Sequence, residues 1–387
     1  MNRSPTRSLA RQSSRSGRAP RQPRPWRSGF TLLALGAVIF VAIPAVVWAV
    51  STADSAALGA SGELAAGAEF LTEKQGVTDM QISDITVTGP AAAIEGGVGA
   101  ADPRSPNRVG STEIPVRVYE PDSEAWATLV WAHGGSFIHG HPDMPEADWA
   151  ARRFAEAGVR VYSVDYALAS ETVKAPAPAN DVAAVLARVE TQHAGPIAVG
   201  GASAGGHLAV EAALQQADRA AASGDASVRP AEALLLEYPT LHRVQRPDSA
   251  VAAATKALPE QYRFDAERVS GMYDFYLGET LASARVSRGD AASAFGAIVA
   301  GELDGSRLSQ LPPTVMVNAD ADDLRASGEQ FAEQLRAAGV PVTLSLQPGT
   351  VHGYLNRPDE SAQAGADAQQ TIDHFVAELH RLVAPVD

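Results

Sequence analysis

The chain has 387 residues, enough for a domain with a well-buried core, and its hydrophobic content of 45% is that of a globular protein rather than a disordered one. It contains no cysteine, which excludes disulfides, thiol nucleophiles and cysteine-ligated metals in any compartment. The net charge is −14, but the first 50 residues hold eight arginines and no acid, so the remainder sets 23 basic residues against 45 acidic ones, a balance of −22. A body so acidic repels phosphate backbones and argues against nucleic acid as a partner.

From the amino terminus, residues 29 to 50 (GFTLLALGAVIFVAIPAVVWAV) form an uncharged run of 22 residues. As a helix it would span roughly 33 Å, about the thickness of a bilayer core, and Pro44 is tolerable inside it. The arginines, Arg3 to Arg27, lie on the amino-terminal side only. The positive-inside rule therefore makes residues 1 to 28 a basic cytoplasmic tail and sends the rest outward, with Trp26 and Trp48 at the two interfaces. A cleaved signal sequence, with small residues such as Ala49 and Ala53 nearby, is the competing expectation, although the apolar regions of such signals run to about 7 to 15 residues. A buried core helix fits poorly with an arginine-only flank and no polar face. Both favoured readings put the main domain outside the cytoplasmic membrane, either membrane-anchored or secreted.

Residues 51 to 82, rich in Ala, Ser and Gly, read as a linker and a short amino-terminal cap helix. From 83 to 387, short apolar runs alternate with helical stretches, the signature of an α/β fold with a largely parallel sheet. The expected strands are 114 to 121, 127 to 133, 159 to 166, 196 to 202, 231 to 238, 313 to 320 and 341 to 348. The expected helices lie near 145 to 157, 178 to 191, 204 to 222, 325 to 338 and 362 to 384. Residues 240 to 310 separate two strands by far more than an ordinary connection, which makes them a candidate cap insertion. Its Phe264, Met272, Tyr273, Phe275 and Tyr276 could line an apolar pocket and fit a plain core equally well.

Two glycine-rich turns carry chemistry. Gly201-Ala202-Ser203-Ala204-Gly205-Gly206-His207 follows the apolar strand PIAVGG and opens an alanine-rich helix. A serine on a tight strand-to-helix turn has strained backbone angles, and flanking glycines keep neighbouring side chains from colliding there. The same turn aims the Ala204 N–H and the helix amino terminus at developing negative charge. Upstream, Trp131-Ala132-His133-Gly134-Gly135-Ser136-Phe137 directly follows the strand ATLVWA. Its adjacent glycines expose backbone N–H groups of the kind that an acyl-transfer oxyanion needs, so Gly134 and Gly135 join Ala204 as candidate oxyanion-hole donors.

These motifs resemble the hormone-sensitive-lipase-like branch of the α/β-hydrolases, bacterial esterases and lipases with His-Gly-Gly-Gly upstream of Gly-Asp-Ser-Ala-Gly-Gly. The resemblance covers roughly residues 110 to 385 and includes VDYALASETVKAPAPANDVAAVL (164 to 186) and MYDFYLG (272 to 278). Ser136 stands where the family has its third glycine, and Ala202 where it has Asp. The resemblance implies an α/β-hydrolase fold, a mostly parallel central sheet flanked by helices with a helical cap. It also implies a catalytic triad in the order Ser203, Asp322, His352.

The segment Ala321-Asp322-Asp323-Leu324-Arg325-Ala326-Ser327-Gly328 is similar to the family's Asp-x-Leu-Arg-x-x-Gly, which sets the acid at Asp322 with Asp320 and Asp323 as near alternatives. His352, in QPGTVHGYL, matches the family's His-Gly. In this reading His133 helps shape the oxyanion loop and His207 packs on the nucleophile helix. The pair His139-Gly-His141, with Asp143 close by, hints at a metal, but no third ligand has supporting spacing, so neither metal nor cofactor is expected. The implied reaction is hydrolysis of a small-molecule carboxylic ester through an acyl-enzyme. An amidase or acyltransferase would use the same triad, and a non-catalytic ligand-binding protein could share the scaffold. The oligomeric state is left open.

Overall fold

The computed structural model describes residues 80–89, 112–278 and 297–384. The basic tail, the apolar run at 29 to 50 and the linker as far as residue 79 lie outside them. Among the described residues no helix is long and apolar enough to cross a membrane.

Eight strands form one sheet: β1 Gln81–Thr88, β2 Glu113–Glu120, β3 Ala127–Ala132, β4 Val159–Val164, β5 Ile197–Ala202, β6 Ala233–Glu237, β7 Thr314–Ala321 and β8 Val342–Val351. Their order is β1-β2-β4-β3-β5-β6-β7-β8. The β1–β2 and β2–β4 pairs are antiparallel, and the pairs from β4 through β8 are parallel.

Strands β3, β5 and β6 are buried along their whole length. They read as continuous apolar runs because a parallel sheet is covered on both faces. Alternate side chains enter different cores. Val130 and Ala132 join the layer under helices α2 (Ala177–Gln192) and α3 (Ala204–Ser223), whereas Leu129 and Trp131 join the layer under α1 (Asp148–Glu156).

The sequence placed every one of these strands within a few residues except β1. Of its eight residues only Val87 is buried, so QISDITVT carries almost none of the apolar signal that marks a half-buried strand. The linker expected to run through residue 82 has become strand by Gln81.

The connection from β6 to β7 holds α4 (Ser249–Thr255), α5 (Ala266–Leu277) and α6 (Gly305–Leu308). After β7 come α7 (Arg325–Ala337) and, after β8, α8 (Ala362–Val383). Phe331 and Leu335 of α7 pack into the core with α2 and α3, while Ile372, Phe375 and Leu379 of α8 pack with Phe154 of α1 on the other face.

The chain runs from β3 to β4 on one side and then to β5 on the other. A crevice is expected beyond the carboxyl ends of strands at such a reversal. The ends of β3, β5, β6, β7 and β8 lead directly into His133, Ser203, Tyr238, Asp322 and the turn bearing His352.

Candidate active site

Ser203 occupies the N-cap position of α3 with φ 53° and ψ −117°, a backbone conformation that side-chain-bearing residues rarely adopt. The surrounding glycines are steric necessities. A Cβ on Gly205 would stand 2.1 Å from the Ala132 carbonyl oxygen, and one on Gly201 would stand 2.5 Å from that same oxygen. The elbow therefore lies hard against the end of β3 and presents a serine that is 5% exposed.

The Ser203 hydroxyl lies 3.0 Å from Nε2 of His352, and Nδ1 of His352 lies 2.7 Å from Oδ2 of Asp322. With Nδ1 carrying the ring proton, His352 donates to the carboxylate and accepts from the serine. Asp322 is fully buried, and its other oxygen accepts the Leu324 N–H at 2.9 Å.

Its two neighbours are engaged elsewhere. Asp320 meets Arg325 at 3.2 Å and accepts the Gly349 N–H. Asp323 binds the Arg263 guanidinium at 2.7 Å and the Phe264 N–H at 2.8 Å. Of the three acids, Asp322 is the one in contact with the imidazole.

The loop after β3 differs from the expectation at one position. Gly134 N–H donates to Oε1 of Glu146 at 2.6 Å. A donor already committed to a carboxylate is not offered to an oxyanion, so the role expected of Gly134 is corrected to an anchor point. Gly135 and Ala204 remain as candidate donors. Two successive non-glycine residues of this loop, Ser136 (φ 55°) and Phe137 (φ 67°), hold left-handed backbone conformations. The loop is tied back by His139 N–H donating to the Gly135 carbonyl at 2.9 Å. Phe137 stacks on Tyr276 of α5 at 4.0 Å.

His133 stacks on Tyr166 at 4.3 Å. His207 is buried beside Tyr273 and Glu211, and His141 lies 3.6 Å from Asp143. Ala202, where the family has Asp, is buried in the layer that contains Trp131.

Three residues flank the imidazole, of which only Phe264 was among the side chains expected to line a pocket or a plain core. Tyr238 meets the His352 ring edge-on at 4.8 Å, and Phe264, from the β6–β7 connection, tilts over it at 4.5 Å. The third is Glu146. It sits in a proline-flanked turn, 2% exposed, with Oε2 accepting the Tyr238 hydroxyl at 2.8 Å. An acid between prolines and alanine reads as a solvated loop residue. Only the folded chain brings it beside residues about ninety positions away.

Burial raises the Glu146 pKa, and the hydrogen bonds from Tyr238 and Gly134 oppose that rise. Glu237, one residue before Tyr238, is buried with neither carboxyl oxygen hydrogen-bonded, and burial pushes it well above the carboxylate range. The Tyr354 hydroxyl, 2.5 Å from Thr371, lies beside it and opposes that rise.

A serine on a glycine-walled elbow at a strand reversal, facing a histidine and a buried acid, defines the α/β-hydrolase class of site. The comparisons agree. A family model described as alpha/beta hydrolase fold matches residues 129–356, and this chain belongs to that family, in its hormone-sensitive-lipase-like branch.

Among curated relatives it is 27% identical to "Carboxylic ester hydrolase LipN" of Mycobacterium tuberculosis, over 78% of this chain and 72% of that one. It is 33% identical to "Carboxylesterase NlhH" of the same species, over 64% and 73%. Among solved structures it resembles a Pyrobaculum calidifontis esterase with a TM-score of 0.58 and 27% identity, covering 79% of this chain and 86% of the other.

Proposed function

We propose that the chain is a serine carboxylic ester hydrolase in which Ser203 is the nucleophile, His352 the general base and acid, and Asp322 the acid that orients the imidazole. The observation that carries this reading is the continuous line of hydrogen bonds Ser203–His352–Asp322, at 3.0 and 2.7 Å. The named activities of the relatives support the choice of an ester as substrate.

As Ser203 Oγ attacks the ester carbonyl, its proton passes to His352 Nε2, and Asp322 stabilises the imidazolium that forms. The oxyanion takes hydrogen bonds from the N–H groups of Gly135 and Ala204. His352 then protonates the departing alkoxide, leaving an acyl ester on Ser203. Water, deprotonated by the same imidazole, attacks that ester, and the carboxylic acid leaves as Ser203 recovers its proton. In this reading the β6–β7 connection is the cap, and Phe264 forms one wall of the substrate site beside His352.

We also infer that residues 29 to 50 anchor the catalytic domain on the outer side of the cytoplasmic membrane, on the strength of the uncharged run and its arginine-only flank. Recovery of the full chain from washed membranes supports the anchor, and a shortened soluble form in the medium contradicts it.

The catalytic assignment is tested by incubating the full chain in detergent with a fluorophosphonate probe and with short-chain nitrophenyl esters, beside Ser203→Ala. Labelling and hydrolysis in the wild type, both lost in the variant, are expected. A folded wild type inert to both contradicts the assignment.

A further inference from the structure

Between the oxyanion loop and the imidazole lies a carboxyl group that the mechanism above does not use. Glu146 is held at its backbone from both sides. Its N–H donates to the Asn356 side chain at 3.2 Å, and its carbonyl accepts the indole N–H of Trp131 at 2.9 Å. Its side chain reaches two parts of the site at once. Oε1 takes the Gly134 N–H at 2.6 Å, and Oε2 takes the hydroxyl of Tyr238, whose ring lies against His352 at 4.8 Å.

We propose that Glu146, as a buried carboxylate, is a positioning residue for acyl transfer, anchoring the oxyanion loop through Gly134 and supporting the charged form of His352 across Tyr238. The proposal rests on the serine-hydrolase reading and adds a second acid to it.

The charge state follows from the partners. Each Glu146 oxygen accepts from a donor, which is the pattern of an ionised carboxyl. Burial raises its pKa, and the two donors, the neighbouring imidazole and Asn356 each oppose part of that rise. Glu237 makes the contrast, since it is equally buried, lacks a donor in hydrogen-bond geometry at either oxygen, and is pushed well above the carboxylate range by burial, which the nearby Tyr354 hydroxyl only opposes.

The other titratable groups near this pair are Tyr166 after β4, Asp322 after β7, and Tyr354 and Arg357 after β8. From the β6–β7 connection, Arg268 lies over the Phe264 ring at 4.2 Å and Arg263 is bound to Asp323. Arg357 donates to the His352 carbonyl rather than to either glutamate. The negative charges directed at the imidazole are therefore Asp322 by contact and Glu146 across Tyr238.

Two consequences follow. With the Gly134 amide fixed, the peptide that carries the next N–H, that of Gly135, is aimed by the anchor. Loss of the anchor should act as loss of an oxyanion donor does, lowering kcat by roughly 100-fold or more. Because the imidazolium appears in the transition state, the electrostatic part also falls on kcat rather than KM.

The test compares wild type, Glu146→Ala and Glu146→Gln, each as the full chain in detergent. It measures kcat and KM for nitrophenyl acetate across pH, with thermal unfolding to establish that each is folded. Glu146→Ala should lose about 100-fold in kcat with little change in KM. Glu146→Gln keeps an acceptor for Gly134 and should recover at least a tenth of wild-type kcat.

The acid limb of its kcat/KM profile should move to lower pH, because a negative charge that favours the protonated imidazole is gone. A purely structural role would leave that limb in place. A folded Glu146→Ala with near-wild-type kcat overturns the proposal, and so does an unmoved acid limb in Glu146→Gln. If Glu146→Ala does not fold, Glu146→Gln alone decides. An inert wild type overturns the serine-hydrolase reading and this one with it, whereas an active wild type with either adverse result overturns this one alone.

Discussion

Two glycine-rich turns meet at Ser203, and they are held in different ways. The turn after β5 is held by exclusion, because backbone on both sides leaves no room for a Cβ at Gly201 or Gly205. The turn after β3 is held by attachment, with Gly134 N–H tied to a carboxylate twelve residues away and Phe137 stacked on α5. Exclusion is a local property that glycine itself announces. Attachment depends on partners that the turn's own residues do not reveal.

The sharpest way to break this contrast is Gly205→Ala. Its new Cβ would stand 2.1 and 2.3 Å from the carbonyl oxygens of Ala132 and His133, and neither strand end can retreat without disturbing the sheet. We expect a loss of about 3 kcal/mol or more in stability, read by chemical denaturation. A change below about 1 kcal/mol would mean that the elbow is softer than its contacts imply.

Tyr238→Phe probes the attached turn. It removes one of the two donors to the buried Glu146 carboxylate while keeping the ring against His352. A hydrogen bond to a buried charged group is worth about 1.5 to 3 kcal/mol, so stability should fall by about 2 kcal/mol. Unchanged stability would show that the attachment at Oε2 carries little energy.

Ser136→Gly should have the smallest effect and the opposite sign. The serine sits at φ 55°, where a Cβ costs about 1 kcal/mol, so glycine should stabilise the chain by up to that amount in thermal unfolding. A loss of stability would mean that the serine side chain makes a contact outweighing the strain.

The same distinction explains what could be read in advance. Strands β3, β5 and β6 were visible because burial on both faces demands unbroken apolar runs such as ATLVWA and IAVGGA. Ser203 stands out as the candidate nucleophile because its glycines, its strand and its helix are contiguous. Asp322 and His352 are expected from their order after it, and the arginine and backbone partners of Asp320 and Asp323 set those two acids apart from the imidazole.

Edge strand β1 escaped notice because seven of its eight residues are at least partly exposed. Glu146 and Tyr238 escaped for another reason, and Phe264 was marked only as a side chain of a pocket or a plain core. Each reaches the imidazole's surroundings across a long stretch of chain, and an isolated acid or tyrosine has no spacing by which to recognise such a place. Gly134 shows the cost of that blindness, since an exposed-looking amide in a glycine pair proved to be already bonded.

The most direct test of the central claim is to identify the covalent intermediate. The full chain would be mixed with excess nitrophenyl acetate, quenched in acid during turnover, and digested for peptide mass mapping. The account predicts a transient acetyl group on the peptide bearing Ser203, absent from Ser203→Ala, which should also lose hydrolysis by several orders of magnitude, up to about 10⁶ in kcat. Undiminished hydrolysis by Ser203→Ala, or an acetyl group that turns over on another residue, would contradict it.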